Sequence, residues 1–322
     1  MSSLEIVLHS CRVAFLFPGQ GSQYVGMGKG FYDRFSFARK VYGQANEILG
    51  WDIADLSFNG PKEELTQTSN TQPAIMVHSY IAQFLLRERG IYPVLAMGHS
   101  LGEYSALLSV GALDFPTALG LVKERGRFMQ SAVPKNGGVM AALLGLEQEV
   151  AERVCSEADG IVEVANYNAP GHFVISGERK AVESAVLLAE VHGVRKVVML
   201  PVGAPFHSSL LTEAGERMST ILDSANFCEL TVPVYSNVTS RPVIDRMEAR
   251  ELLKKQVRAP VRWEDSVRSA AKENIDAFIE VGPGRVLSGL NKRIARDIPV
   301  FNVENEETLE KTISKLPNLT SQ

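Results

Sequence analysis

The chain has 322 residues, 45% of them hydrophobic and 22% charged, with 33 Lys and Arg against 37 Asp and Glu for a formal net charge of −4. That is enough apolar material for a full core in one large domain or a domain with an insertion. It excludes a disordered chain, a coiled coil and a global basic field for nucleic acid. Cys11, Cys155 and Cys228 are odd in number, far apart and outside any CxxC pattern, so neither a disulfide framework nor a structural zinc site is expected.

In chain order, the N-terminus lacks a basic n-region and a small-residue cleavage site, and no apolar run reaches the ~18 residues of a membrane span. A cytoplasmic protein with no membrane partner is expected. Arg12 to Phe17 reads as a buried strand of a parallel sheet, ended by Pro18. Gly19-Gln20-Gly21-Ser22-Gln23 follows as a glycine-rich loop that lacks the Walker Lys and a full GxGxxG, so it is read as backbone set close to a ligand and not as a phosphate loop. Helices are predicted at Ser36 to Leu49 and at Gln72 to Arg89, the second terminated by Gly90. His78, among apolar neighbours on that helix, reads as structural.

The stretch Val94 to Leu108 is the centre of the chain. Val94 to Met97 reads as a strand and Glu103 to Val110 as a helix, so Gly98-His99-Ser100-Leu101-Gly102 lies on the turn, where a GxSxG nucleophile elbow belongs. After it, Asp114 can cap a helix from Phe115 to about Val133, with Pro134 and Gly137-Gly138 as breakers. Val139 to Leu200 then alternates strand, helix, strand, strand, helix, strand, the ferredoxin-like order. From His207, predicted to start a helix, the α/β pattern resumes. It has a strand near Pro233 to Ser236, helices at Arg246 to Val257 and after Trp263, a strand at Phe278 to Val281 and a helix at Val286 to Ala295. The expected fold is α/β: an α/β-hydrolase-like large subdomain (residues 1–135 and 203–322) with a parallel sheet and nucleophile elbow, plus an inserted ferredoxin-like small subdomain (residues 136–202).

A serine at an elbow needs a base. Of the six histidines, His9 precedes the first strand, His172 and His192 fall in the insertion, and His99 adjoins the serine with its side chain directed elsewhere. His207 follows an irregular segment where the chain returns to the large subdomain, the kind of loop where catalytic side chains concentrate. Arg125, taken alone, reads as a surface ion pair in a basic helix with Lys123 and Arg127.

Seven motifs, in order, carry a resemblance across nearly the whole chain: FPGQGSQ (17–23), GHSLGEYSAL (98–107), ERGRFMQ (124–130), NYNAPG (166–171), FHS (206–208), QVRAPVRW (256–263) and EVGPGRVLSGL (280–290). Together they resemble the malonyl-CoA:acyl carrier protein transacylase family. The resemblance implies Ser100 as acylated nucleophile, His207 as general base, and the backbone N–H groups of Gln20 and Leu101 as oxyanion hole. It also implies Arg125 as the clamp for the malonyl carboxylate, Asn166 and Phe206 as substrate-binding residues, and the backbone carbonyl of Gln256 as orienter of His207, a dyad without a third acid. Two departures stand out: His172 where the family commonly has Gln, and Phe206 where many fatty-acid members carry Ser, a bulk that resembles the malonyl-selective arrangement.

The activity so implied is malonyl transfer from malonyl-CoA to the phosphopantetheine thiol of an acyl carrier protein, supplying extender units for fatty acid or polyketide synthesis. A monomer with no metal or redox cofactor and no nucleic-acid partner is expected. A hydrolase or proofreading thioesterase using the same dyad is the alternative, disfavoured by Arg125, and a non-catalytic docking module is disfavoured by the intact Ser100/His207 pair. Arg285, Lys292, Arg293 and Arg296 are the candidate basic face for an acidic carrier protein.

Overall fold

The computed structural model describes residues 11–132 and 137–316. Pro134, expected as a helix breaker, the expected subdomain boundary at residues 135–136 and His9 lie outside them. A six-stranded sheet forms the centre, in the order β10 (Val300–Val303), β9 (Ala277–Val281), β1 (Val13–Phe17), β2 (Pro93–Gly98), β7 (Val234–Tyr235) and β8 (Pro242–Val243). All neighbours pair parallel except the short edge hairpin β7–β8. Both faces are covered, which is why β1 is apolar throughout. Val13, Phe15 and Phe17 pack against the helices Ser36–Leu49, Thr68–Arg87 and Phe115–Ser131, while Ala14 and Leu16 pack against Trp263–Ala270 and Val286–Ile294.

The second sheet is antiparallel, in the order β4 (Val162–Ala169), β5 (His172–Glu178), β3 (Gly138–Leu144), β6 (Lys196–Met199). The period-two alternation of β3 explains how it is used. Val139, Ala141 and Leu143 join a core with the helices Gln148–Glu157 and Arg179–Val191, whereas Met140 and Ala142 face the large core. The small sheet therefore buries its other face against the large subdomain. A backbone seam joins them where Tyr167 N–H donates to Val261 O and Val261 N–H to Ala165 O.

Several boundaries differ from those the sequence predicts. The helix expected from Gln72 begins at Thr68, a turn earlier, and carries Pro73 inside it. The first turn is held from outside the helix: Thr71 Oγ1 donates to Leu65 O, Ser69 N–H donates to Gln130 Oε1, and Gly126 packs closely on Thr68. His207 does not start a helix. It has φ 58°, a 3-10 turn follows at Ser209–Leu211, and the helix begins only at Thr212. β4 runs on to Ala169, paired to β5 through the Pro170-Gly171 turn in which Gly171 takes φ 66°. Asp114 caps its helix as expected, accepting from Thr117 N–H at 2.8 Å. No described helix is long and apolar enough to cross a membrane.

Candidate active site

Adjacent parallel strands place the two site loops side by side. Phe17 at the end of β1 is opposite Gly98 at the end of β2, so the glycine-rich loop and the elbow emerge together from the middle of the sheet. The crowding is severe: a Cβ on Gly98 would collide with Gly102, and one on Gly102 with the Phe17 carbonyl. Ser100 at the tip has φ 53°, a left-handed conformation that a non-glycine residue holds only when its surroundings insist. Asn237 supplies that insistence. Its Oδ1 accepts from Ser100 N–H at 2.7 Å and its Nδ2 donates to Gly98 O at 2.7 Å, bracing both ends of the turn.

Ser100 Oγ lies 2.7 Å from His207 Nε2. On the far side of the ring, Nδ1 is 3.0 Å from the carbonyls of Gln256 and Ala259. Carbonyls only accept, so Nδ1 carries the proton, Nε2 is bare, and the serine hydroxyl donates to it. Burial, then the neighbouring Arg125 guanidinium, then His99, push the His207 pKa down to about 3, so the ring is neutral and able to accept a proton. The N–H groups of Gln20 and Leu101 make no hydrogen bond among the described residues, and Leu101 stands at the N-terminus of the helix Gly102–Ser109, where an oxyanion is welcome. Ser100's own N–H is taken by Asn237.

Arg125 is not a surface residue. It is 1% exposed, in the buried face of the helix Phe115–Ser131, and the exposed ion pair of that helix joins Arg127 to Glu124 instead. Its Nη2 donates to Ser100 Oγ at 3.0 Å and to Gln256 Oε1 at 2.9 Å, and its Nη1 donates to Gln72 Oε1 at 2.8 Å. The guanidinium lies 5.6 Å from the Tyr104 ring centroid. The fork thus faces the nucleophile, with one N–H directed at Ser100 Oγ.

The dyad floors a small cleft of ≈ 90 Å³ whose walls include Gln20, Leu101, Arg125, Met140, Asn166 and Phe206. Gln20, Val202 and Phe206 also line a contiguous outer groove of ≈ 540 Å³, beside Gln67, Thr68 and Pro201. The inner space suits a short acyl group and the outer one the arm that carries it. Asn166 is buried, and its side chain makes no hydrogen bond among the described residues. His99 is tied to Asn168 Oδ1 at 2.9 Å and not to Ser100. His78 accounts for itself structurally: buried against Phe31, it meets Glu304 O at 3.0 Å. A wider groove of ≈ 940 Å³, lined by Arg195, Lys196, Arg268 and Arg293, holds none of the dyad. Within the expected basic face Arg285 pairs with Glu304 and Arg293 donates to Pro170 O.

Sequence reasoning missed Gln72, Glu103, Asn237 and the side chain of Gln256. Glu103 is the least expected: 3% exposed, it accepts from Gln256 Nε2 at 2.6 Å and Asn237 N–H at 3.1 Å. A glutamate in a helix's first turn ordinarily signals a favourable surface dipole contact.

The acyl transferase domain family matches residues 14–312. The Bacillus subtilis malonyl CoA-acyl carrier protein transacylase is 42% identical over 308 residues, 95% of this chain and 97% of its own. The chain belongs to the malonyl CoA-acyl carrier protein transacylase family. Within it, the solved structure of the Clostridium perfringens transacylase is 41% identical, with a TM-score of 0.92 over 96% of this chain and 98% of its own. A malonyl-transacylase solved in complex with a type II polyketide synthase acyl-carrier protein is 36% identical, with a TM-score of 0.92 over 94% of this chain and 99% of its own. Among the described residues no cluster of three or more His, Cys, Asp or Glu could hold a metal.

Proposed function

We infer that this chain moves malonyl from malonyl-CoA to the phosphopantetheine thiol of an acyl carrier protein through a malonyl-Ser100 ester. The observation that carries the reading is the buried Arg125 fork set against the Ser100–His207 pair. His207 Nε2 takes the hydroxyl proton as Ser100 Oγ attacks the thioester carbonyl. The N–H groups of Leu101 and Gln20 hold the resulting oxyanion. Collapse expels the CoA thiolate, which receives the proton back from His207. In the second half the carrier thiol gives its proton to His207, attacks the ester, and Ser100 leaves with that proton.

Arg125 does two things at once. Its planar fork recognises the malonyl carboxylate, which accepts the hydrogen bond that Nη2 otherwise gives to Ser100 Oγ. Arrival of that anion also cancels the cationic field that helps depress His207, so the correct substrate strengthens the base that attacks with it. An acyl hydrolase with the same dyad has no use for such a clamp, and the relatives' names offer that reading no support. The reading includes a cytoplasmic monomer that draws on no metal or redox cofactor. Phe206, beside the nucleophile, limits the room for a branched acyl chain.

Labelled malonyl-CoA, mixed with the protein with and without carrier protein, tests the reading. Label held on the protein and passed on to the carrier supports it. Free malonate would favour hydrolysis, and no label would leave a docking module.

A further inference from the structure

Arg125 is a permanent cation that is 1% exposed, and no carboxylate touches it among the described residues. An isolated buried charge is costly, so its compensation has to come from somewhere. Following the hydrogen bonds outward leads to Glu103. Arg125 Nη2 donates to Gln256 Oε1 at 2.9 Å, and Gln256 Nε2 donates at 2.6 Å to Glu103 Oε2, with its other proton going to Ser100 O at 3.0 Å. Gln256 is fully buried and its amide is thereby fully assigned. Because Ser100 O can only accept and the guanidinium can only donate, Nε2 must face the former and Oε1 the latter. An amide turned the other way would set N–H against N–H at Arg125. The same Glu103 oxygen accepts from Asn237 N–H, and Asn237 braces the elbow.

We propose that Glu103 is a positioning residue and counter-charge for the malonyl clamp, acting through the Gln256 amide to aim the Arg125 fork and to temper its grip on the substrate carboxylate. The inference rests on the reading of Arg125 as that clamp. In the empty site Glu103 balances the guanidinium. When the malonyl carboxylate arrives, two anions share one cation, and the substrate is held less tightly than an unopposed arginine would hold it. A transferase that must hand the same group on to a second thiol gains from that restraint. Burial holds the Glu103 pKa up at about 7, against the opposing pull of Gln256, Asn237 and Arg125, so the carboxylate is charged in mildly alkaline solution.

Two substitutions separate aim from charge. Glu103→Gln keeps an oxygen for both Gln256 and Asn237 and removes only the charge; Glu103→Ala removes the acceptor and frees the Gln256 amide. The measurement is single-turnover acylation at pH 8 without carrier protein, with malonyl-CoA and acetyl-CoA, on variants whose melting curves show a folded chain. The half-saturation concentration for malonyl-CoA falls about five-fold in Glu103→Gln, as expected for removing a like charge across a buried site. Acetyl transfer changes less than about two-fold, the neutral acyl group having no charge to feel. In Glu103→Ala the malonyl half-saturation rises instead. If Glu103→Gln leaves the malonyl value unchanged, or raises it together with the acetyl value, the proposal is overturned while wild-type malonylation stands. A wild type that takes no malonyl on Ser100 overturns the function reading as well, so the two failures are distinguishable.

Discussion

Replacing Arg125 with alanine separates recognition of the acyl carboxylate from the chemistry at its carbonyl. On the proposed reading, the wild-type fork gives the malonyl carboxylate two charge-assisted hydrogen bonds, from a guanidinium that is 1% exposed and little screened by solvent. At ~1.5 kcal/mol each, the low end for bonds to charged groups, their loss is about 3 kcal/mol, or roughly two orders of magnitude in kcat/KM. The folded state changes too. Gln72 Oε1 and Gln256 Oε1 lose their donor, at about 1–3 kcal/mol for each buried acceptor left unpaired, offset in part by no longer burying a guanidinium. Those changes fall on melting temperature and on every substrate alike, whereas the carboxylate term falls on malonyl alone. Quenched-flow acylation with malonyl-CoA and acetyl-CoA reads the difference: malonyl falls by about a hundredfold, and acetyl holds or improves, since no unmatched cation faces its methyl. Arg125→Lys recovers part of the malonyl loss, having charge without the fork. A parallel fall of both substrates refutes the reasoning, and Arg125 is then structural.

The depressed His207 pKa has a stability signature. Its folded value of about 3 lies below the ordinary ~6.5, so the unfolded chain binds the extra proton between them and stability is lost as pH falls from about 6.5. Wild type therefore loses up to about 1.4 kcal/mol per pH unit relative to His207→Asn between pH 6 and 4, read by urea unfolding, and parallel curves contradict the burial argument. Phe206→Ala opens the cleft wall and raises acylation by methylmalonyl-CoA relative to malonyl-CoA by about tenfold, the discrimination typical of one methyl group; an unchanged ratio places selectivity elsewhere. Transfer to carrier protein through Lys292 and Arg296 weakens as ionic strength rises, and a rate constant indifferent to salt removes that face from consideration.

The parts of the fold legible in the sequence are those with local causes. β1 and β2 are short apolar runs closed by Pro18 and the GxSxG glycines, and Asp114 announces its helix because a cap bonds within its own first turn. The extra turn of the helix from Thr68 is not legible locally, because the contacts on that turn come from Gln130 and Gly126, far along the chain. The two-residue edge strand β8 and the strand β10 offer too few residues to show a period. In the site, Ser100 is visible from its own turn and His207 from the irregular segment that precedes it, but Arg125 carries no local sign. From neighbours alone Arg125 reads as an ion pair, and only the resemblance across seven motifs points inward. Glu103 and Asn237 carry no local sign either: their partners, Gln256 and the elbow, are more than 130 positions away.

The central claim is that Ser100 carries malonyl between two thiols. Rapid mixing of the enzyme with malonyl-CoA, an acid quench and peptide mass mapping test it directly. The account predicts one malonyl group on the Ser100 peptide within the first turnover, its disappearance on adding carrier protein with matching gain on the phosphopantetheine arm, and no modification in Ser100→Ala. Malonyl found on any other residue, or carrier protein malonylated at undiminished rate by Ser100→Ala, would contradict it.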